Sequence, residues 1–252
     1  MKAVRGLRAA VWVGLFLSLG FFSGISAARG VSPYLPLNLS PEIERQIERV
    51  LILAGKPVMS RPIAAATVLD ALPAACERDR ELCKAVEGYL RLYMHSYGIL
   101  SVRPELAATN GDSTMPIPNR HGQSVDSSWQ ISANGYLQFG DYVVLNAGGV
   151  ANDDFATATG SFLSVGFDFA QLDIGFRDHW WSPLSDSSSL ISTEAPTMPS
   201  ITLSNYRPLT PLGISYQIFA AKMSRQENIY LSSTSTTSGN PRLAGLQMSI
   251  EP

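Results

Sequence analysis

From residue 97 to residue 252 the chain repeats one pattern, in segments of roughly ten residues where apolar and small polar side chains alternate. In residues 129–139, WQISANGYLQF, Trp129, Ile131, Ala133, Gly135, Leu137 and Phe139 fall on one face. Gln130, Ser132, Asn134, Tyr136 and Gln138 fall on the other. The same separation recurs in 162–169, 212–223 and 246–251. A period of two means β-strand, because successive side chains leave the backbone on opposite sides. Length narrows the choice. Strands in water-soluble sheets average about 5–6 residues, whereas a strand crossing a bilayer needs about 9–11. The polar face carries mostly Gln, Ser, Asn, Gly and Tyr, with few Lys or Glu. A soluble sandwich turns charge outward, but a crowded wet lumen suits this uncharged face better. The pattern therefore predicts a mainly β chain, an outer-membrane antiparallel β-barrel.

Strands are predicted near 97–108, 128–139, 142–151, 159–169, 171–181, 199–205, 211–223 and 243–251. Their connections alternate long and short, as barrels with short periplasmic turns and longer extracellular loops require. That places loops 109–127, 152–158, 182–198 and 224–242 outside. The last strand runs to Ser249-Ile250-Glu251-Pro252 without a terminal aromatic. We expect about eight strands here, as the first part of a larger barrel.

The N-terminal residues differ in kind. Lys2, Arg5 and Arg8 precede an apolar run, Ala9 to Phe22, and then the small residues SGISAARG. This order is that of a secretory signal peptide, expected over 1–28 with cleavage after Ala27 or Ala28. The apolar run is short for a span, which needs about 20 residues. Residues 29–97 are expected to form a small helical bundle. Ser40 caps and Pro41 opens a first helix, with a stripe of Ile43, Ile47, Val50, Leu51 and Ala54 that Gly55-Lys56-Pro57 stops. A second helix is expected from Ser60-Arg61-Pro62 to Leu72, and a third from about Leu82 to Ser96. On the barrel topology this bundle lies in the periplasm. Cys76 and Cys83 are the chain's two cysteines, and an exported chain favours pairing them. Seven residues of unbroken helix would hold their Cα atoms about 10.5 Å apart, too far for a disulfide. Pairing thus requires the helix to break between them, and Pro73 offers a nearby place. The alternative is two thiols on one helix face.

Charge excludes one large class of partner. The formal net charge is −2 with 16% charged residues, so no basic surface points to nucleic acid. His95, His121 and His179 are scattered and suggest neither triad nor zinc site. Asn152-Asp153-Asp154 reads as a solvated turn rather than a Ca²⁺ loop. Asp178 and Glu194 could be imagined as a glycosidase pair, but nothing fixes their separation. No enzyme, cofactor or metal is expected.

The segment LDIGFRDHWW, 172–181, supplies the candidate site. Its alternation sets Leu172, Ile174, Phe176 and Trp180 on one face, and Asp173, Gly175, Arg177, His179 and Trp181 on the other. Trp180, like Trp129, is expected at the interfacial girdle, where amphipathic rings are favoured. Trp181 is expected at the outer mouth beside Arg177, Asp178 and His179. There an aromatic face can stack on a pyranose while charged groups meet hydroxyls or carboxylates. A packing role for both tryptophans is the competing reading.

At DIGFRDHWWSPLSDSSSLISTEAPTMPSITLSN, residues 173–205, the sequence resembles the capsule assembly Wzi family of outer-membrane proteins. The upstream order is similar too: signal peptide, a bundle opening SPYLPLNLSPEIERQIERV, then Asn119-Arg120-His121-Gly122 before the second strand. Two details depart from the family pattern, Ser182-Pro183 in place of Gly-Pro and Glu194-Ala195-Pro196 in place of Asn-Ala-Pro. The resemblance implies a large barrel with a periplasmic bundle that helps close it. It also implies a lectin-like, non-enzymatic role in retaining capsular or exopolysaccharide at the cell surface. The implied partners are that polysaccharide, outer-membrane lipid and other polysaccharide-export components. A passive porin or structural barrel is the main alternative, and a soluble periplasmic β protein a further one.

Overall fold

A computed structural model describes residues 30–250, apart from 38, 107, 109–116, 119–123, 126, 154, 185–190, 192–196 and 233–234. The expected signal peptide, His121, the 119–122 motif, Asp154, the serine run and Glu194 to Pro196 lie outside the described residues. Three helices come first: α1 (Pro41–Leu53), α2 (Ala65–Arg78) and α3 (Arg80–Leu90), followed by a 3₁₀ turn at Arg91–Tyr93. The strands are β1 (Tyr97–Leu106), β2 (Ile117–Pro118), β3 (Ser124–Val125), β4 (Trp129–Phe139), β5 (Val143–Asn152), β6 (Ala156–Thr157) and β7 (Phe162–Phe167). They continue with β8 (Ala170–Gly175), β9 (Ser200–Ser204), β10 (Ser215–Lys222), β11 (Gln226–Ser232), β12 (Ser235–Gly239) and β13 (Arg242–Ser249).

One antiparallel sheet dominates, in the order β1-β4-β5-β7-β8-β9-β10-β13, with β6 added to β5. Each of the eight predicted strands has its counterpart in that order. Neighbours in sequence pair with neighbours, as in β4 with β5 from Gln130↔Asn152 to Phe139↔Val143. Among the described residues the sheet is not closed: β1 pairs with β4 and β13 with β10, which leaves each one free edge. Three connections read as loops carry strand: β2–β3 in the first, β6 in the second and the hairpin β11–β12 in the last.

The wall is inverted relative to a soluble protein. Along β9, Ser200, Thr202 and Ser204 are buried while Ile201 and Leu203 are exposed. Along β4, Ser132 and Tyr136 are buried while Ile131, Ala133 and Leu137 face out. Outward Leu145, Leu163, Val165, Leu172, Ile174 and Ile218 continue the belt. In water this much outward apolar surface is unfavourable. A sheet set in lipid needs it, because the outer face meets hydrocarbon and the inner face stays wet.

The helices pack together at the end of the sheet where the short turns lie. Ser40 accepts from Ile43 N (3.4 Å) and Pro41 opens α1, as expected. α2 begins at Ala65, later than predicted, because residues 61–64 are extended and bonded elsewhere. Leu35 N donates to Ile63 O (2.8 Å) and Ala65 N to Pro33 O (2.9 Å). α2 then runs through Pro73 and ends at Arg78. Asp79 leaves helical geometry and accepts from Leu82 N (3.1 Å), so it caps α3. That break brings the Cα atoms of Cys76 and Cys83 to 5.1 Å, and the two are joined as a disulfide. α3 stops at Leu90, short of the expected Ser96, because β1 starts at Tyr97.

The bundle core of Ile47, Val50, Leu51, Val68, Leu72, Val86 and Leu90 is continuous with Tyr136 and Val144 of the sheet. Tyr136 fixes the junction. Its hydroxyl donates to carbonyls of Leu92 (2.9 Å) and His95 (2.6 Å), and its ring stacks on Tyr93 at 5.9 Å. Segments 30–37 and 58–64 leave the bundle and run along the sheet's inner face.

Candidate functional site

The inner face holds a buried polar network that ties segment 30–37 to β8. Asp173 accepts from Tyr34 Oη (3.0 Å), Gln171 Nε2 (3.0 Å) and Arg177, with which it forms an ion pair. Gln171 accepts in turn from Ser32 N (3.2 Å). Arg177, 3% exposed, also donates to Ser204 Oγ (3.2 Å) and lies 4.4 Å over the Tyr34 ring. Burying a charge is costly unless it is paired, and this arrangement pairs both. Burial pushes the Tyr34 phenol above its ordinary range, so it remains a hydrogen-bond donor.

Arg177, His179 and Trp181 all lie inside, but not as one face of a strand, because the predicted strand to residue 181 stops at Gly175. Gly175 has a φ of 140°, and an added Cβ there would meet Ser161 O at 2.5 Å. The chain then turns onto segment 58–64. His179, 8% exposed, pairs Nε2 with Thr202 Oγ1 (2.9 Å) and packs 4.2 Å from the Phe219 ring. Trp181, 7% exposed, meets Phe219 edge-on at 5.1 Å and covers Gly245. Its ring is therefore covered by protein, not open at the mouth.

Asp178 differs. It is half-buried, accepts from Thr197 and lines a cavity of about 50 Å³ with Asn134, Asn146 and Thr159. The expected sugar-facing group thus divides. Arg177, His179 and Trp181 build the wall, and Asp178 borders free space.

The two girdle tryptophans separate as well. Trp129 is 37% exposed on the outer face, and its indole donates to Asp153 (2.6 Å). Trp180 is a correction: at 4% exposed it faces protein, not lipid. Its backbone exchanges two hydrogen bonds with Arg61 (2.8 and 3.1 Å), and its indole donates to Leu184 O (3.0 Å). Strand alternation no longer applies once the wall strand has ended.

Arg61 carried no signal in the sequence. It is buried, paired with Glu44 (3.5 Å) and Glu48 of α1, and donates to carbonyls of Ser182 and Leu184 (3.4 Å each). It clamps the segment after β8 to the bundle. Pro62 beside it, flanked by extended backbone, was the available hint that this stretch is not helix. Asn152 caps a turn by accepting from Phe155 N (3.0 Å), and Asp153 takes Ser127 and Trp129 as donors. Among the described residues no group of His, Cys, Asp and Glu is arranged to hold a metal ion. No described helix is long and apolar enough to cross a membrane.

No protein-family model matches the chain. No curated protein matches it either. Among solved structures the fold is similar to that of Wzi from Escherichia coli, an outer membrane protein involved in group 1 capsule assembly and a carbohydrate-binding β-barrel. The TM-score is 0.55 at 15% sequence identity, over 78% of this chain and 46% of that one. The chain spans about half the length of that structure. At this identity the likeness shows the fold: a mainly antiparallel, barrel-like sheet with helices on its N-terminal side.

Proposed function

We propose that the chain is part of a lectin-like outer-membrane barrel of the Wzi kind, which holds capsular or exopolysaccharide at the cell surface and acts by binding rather than catalysis. The observation that carries this reading is the inverted wall, apolar outside and polar inside, on a fold similar to a carbohydrate-binding barrel. In this reading 1–28 is a cleaved signal peptide, 29–97 a bundle on the periplasmic side and 98–252 the N-terminal part of the barrel. Outer-membrane lipid covers the belt, and polysaccharide-export components are further partners. In this reading Arg177, His179 and Trp181 shape the inner wall, and Asp178, which lines the smaller cavity, is the member of the four that meets a hydroxyl.

A passive porin would need an open lumen. Here segments 30–37 and 58–64 occupy the inner face, which favours a binder. The test compares polysaccharide held on cells with polysaccharide shed into the medium. Loss of the protein is expected to shift polysaccharide to the medium, and Asp178→Asn to do so in part with the barrel still assembled. Unchanged cell-bound polysaccharide on loss of the protein contradicts the proposal.

A further inference from the structure

A second, larger cavity lies against the inner ends of β9, β10 and β13, bordered by residues 56–60 and 62–64. Its volume is about 150 Å³. One bound water needs only about 10–15 Å³, so the space suits a group of monosaccharide size rather than a single bridging water. Tyr34 and Pro62 border both cavities and separate this one from the cavity beside Asp178.

Two of its lining side chains hold unpartnered donors. Arg177 spends Nη1 on Asp173 and Ser204, yet among the described residues its buried Nε–H has no acceptor. Gln217, also buried, has none among them for its Nε2. Lys56 adds an ammonium at the rim, and no Asp or Glu is among the described residues that line the cavity. Buried donors without acceptors mark the place where an acceptor belongs. A neutral hydroxyl both donates and accepts, but a carboxylate only accepts, and it answers the Lys56 ammonium in charge as well, Arg177 being paired with Asp173. Val58, Pro57 and Pro62 supply apolar surface for the C–H face of a ring.

We propose that this cavity binds an acidic sugar residue, a hexuronate, whose carboxylate lies beside Lys56 and draws the buried, unpartnered donors Gln217 Nε2 and Arg177 Nε toward it. The proposal rests on the polysaccharide-binding reading and assigns it a second subsite, at the bundle end of the barrel. Calorimetric titration of the full chain in detergent with glucuronate, its methyl ester and glucose tests it. Glucuronate is expected to bind at least about tenfold more tightly than the other two, as one lost charge-assisted hydrogen bond implies. Gln217→Leu and the rim variant Lys56→Ala should each weaken it, with circular dichroism unchanged. Absent binding, equal binding of the three sugars, or binding indifferent to both variants overturns the proposal. Intact acidic polysaccharide, titrated into the same samples, separates the two ideas. Polysaccharide bound without glucuronate sinks the subsite alone. Glucuronate bound without polysaccharide sinks the broader reading.

Discussion

Trp181 and Gly245 meet across the inner wall, where a Cβ on Gly245 would come within 2.5 Å of both Trp181 and Phe219. Overpacking of this kind costs about 1–3 kcal/mol, so Gly245→Ala should lower the denaturant midpoint without touching any polar group. Trp181→Ala should cost about 3–5 kcal/mol through the void it leaves. A Trp181→Ala protein of unchanged stability would show that the ring is not part of the wall. Tyr34 makes a pH prediction. Its folded phenol titrates above the unfolded value of about 10. The stability it adds is therefore complete below pH of about 10 and is lost above it, as the unfolded phenol ionises first. Tyr34→Phe should make the alkaline fall shallower, read from unfolding between neutral and alkaline pH. Facing was legible only within β8, where a period of two puts Gln171 and Asp173 inside and Leu172 and Ile174 outside; beyond Gly175 Trp180 is buried along with Arg177, His179 and Trp181. Coverage was not legible, because Phe219 and Gly245 lie far along the chain. Arg61 was hidden for the same reason, its partners being α1 and the segment after β8.

Elements were easier to read than their ends. Alternation located all eight wall strands, since a wall that is apolar outside and polar inside must alternate along its whole length. It overran β8 because residues 176–181 keep an alternating composition after the chain has turned inward onto Arg61. It missed the hairpin β11–β12, where β11 (QENIYLS) runs its apolar residues together and β12 (STTSG) has none, so no apolar period of two forms. The outer face of β9 is a direct test of the wall. Ile201→Arg puts a charge toward lipid, which costs about 2–4 kcal/mol near the bilayer midplane, and should reduce the amount of assembled protein in the membrane. In the bundle, the break at Asp79 is what permits Cys76 to reach Cys83. Closing so short a loop restricts the unfolded chain by about 2–3 kcal/mol. Cys76→Ser with Cys83→Ser should lower the melting of the helical signal and remove its sensitivity to reductant. Equal melting with and without reductant in the natural chain would contradict the pairing.

At the scale of the whole molecule, the wall turns its apolar side outward and lays the N-terminal segments against its polar side. Bundle and sheet share one core through Tyr136 and Val144, and the Arg61 clamp and the Asp173 network fasten the inner segments to the wall. Segments 30–37 and 58–64 thereby cover part of the inner face and leave two cavities beside them. Such coupling between distant parts of the chain was not legible in the sequence, because it depends on which inward side chains happen to meet. The central claim is that a lipid-set barrel grips polysaccharide. Flotation of liposomes carrying the purified protein, mixed with labelled acidic capsular polysaccharide, tests both halves at once. The account predicts that the protein floats with the lipid after an alkaline wash and carries the label upward. Protein left at the bottom of the gradient, or floating protein without label, would contradict it.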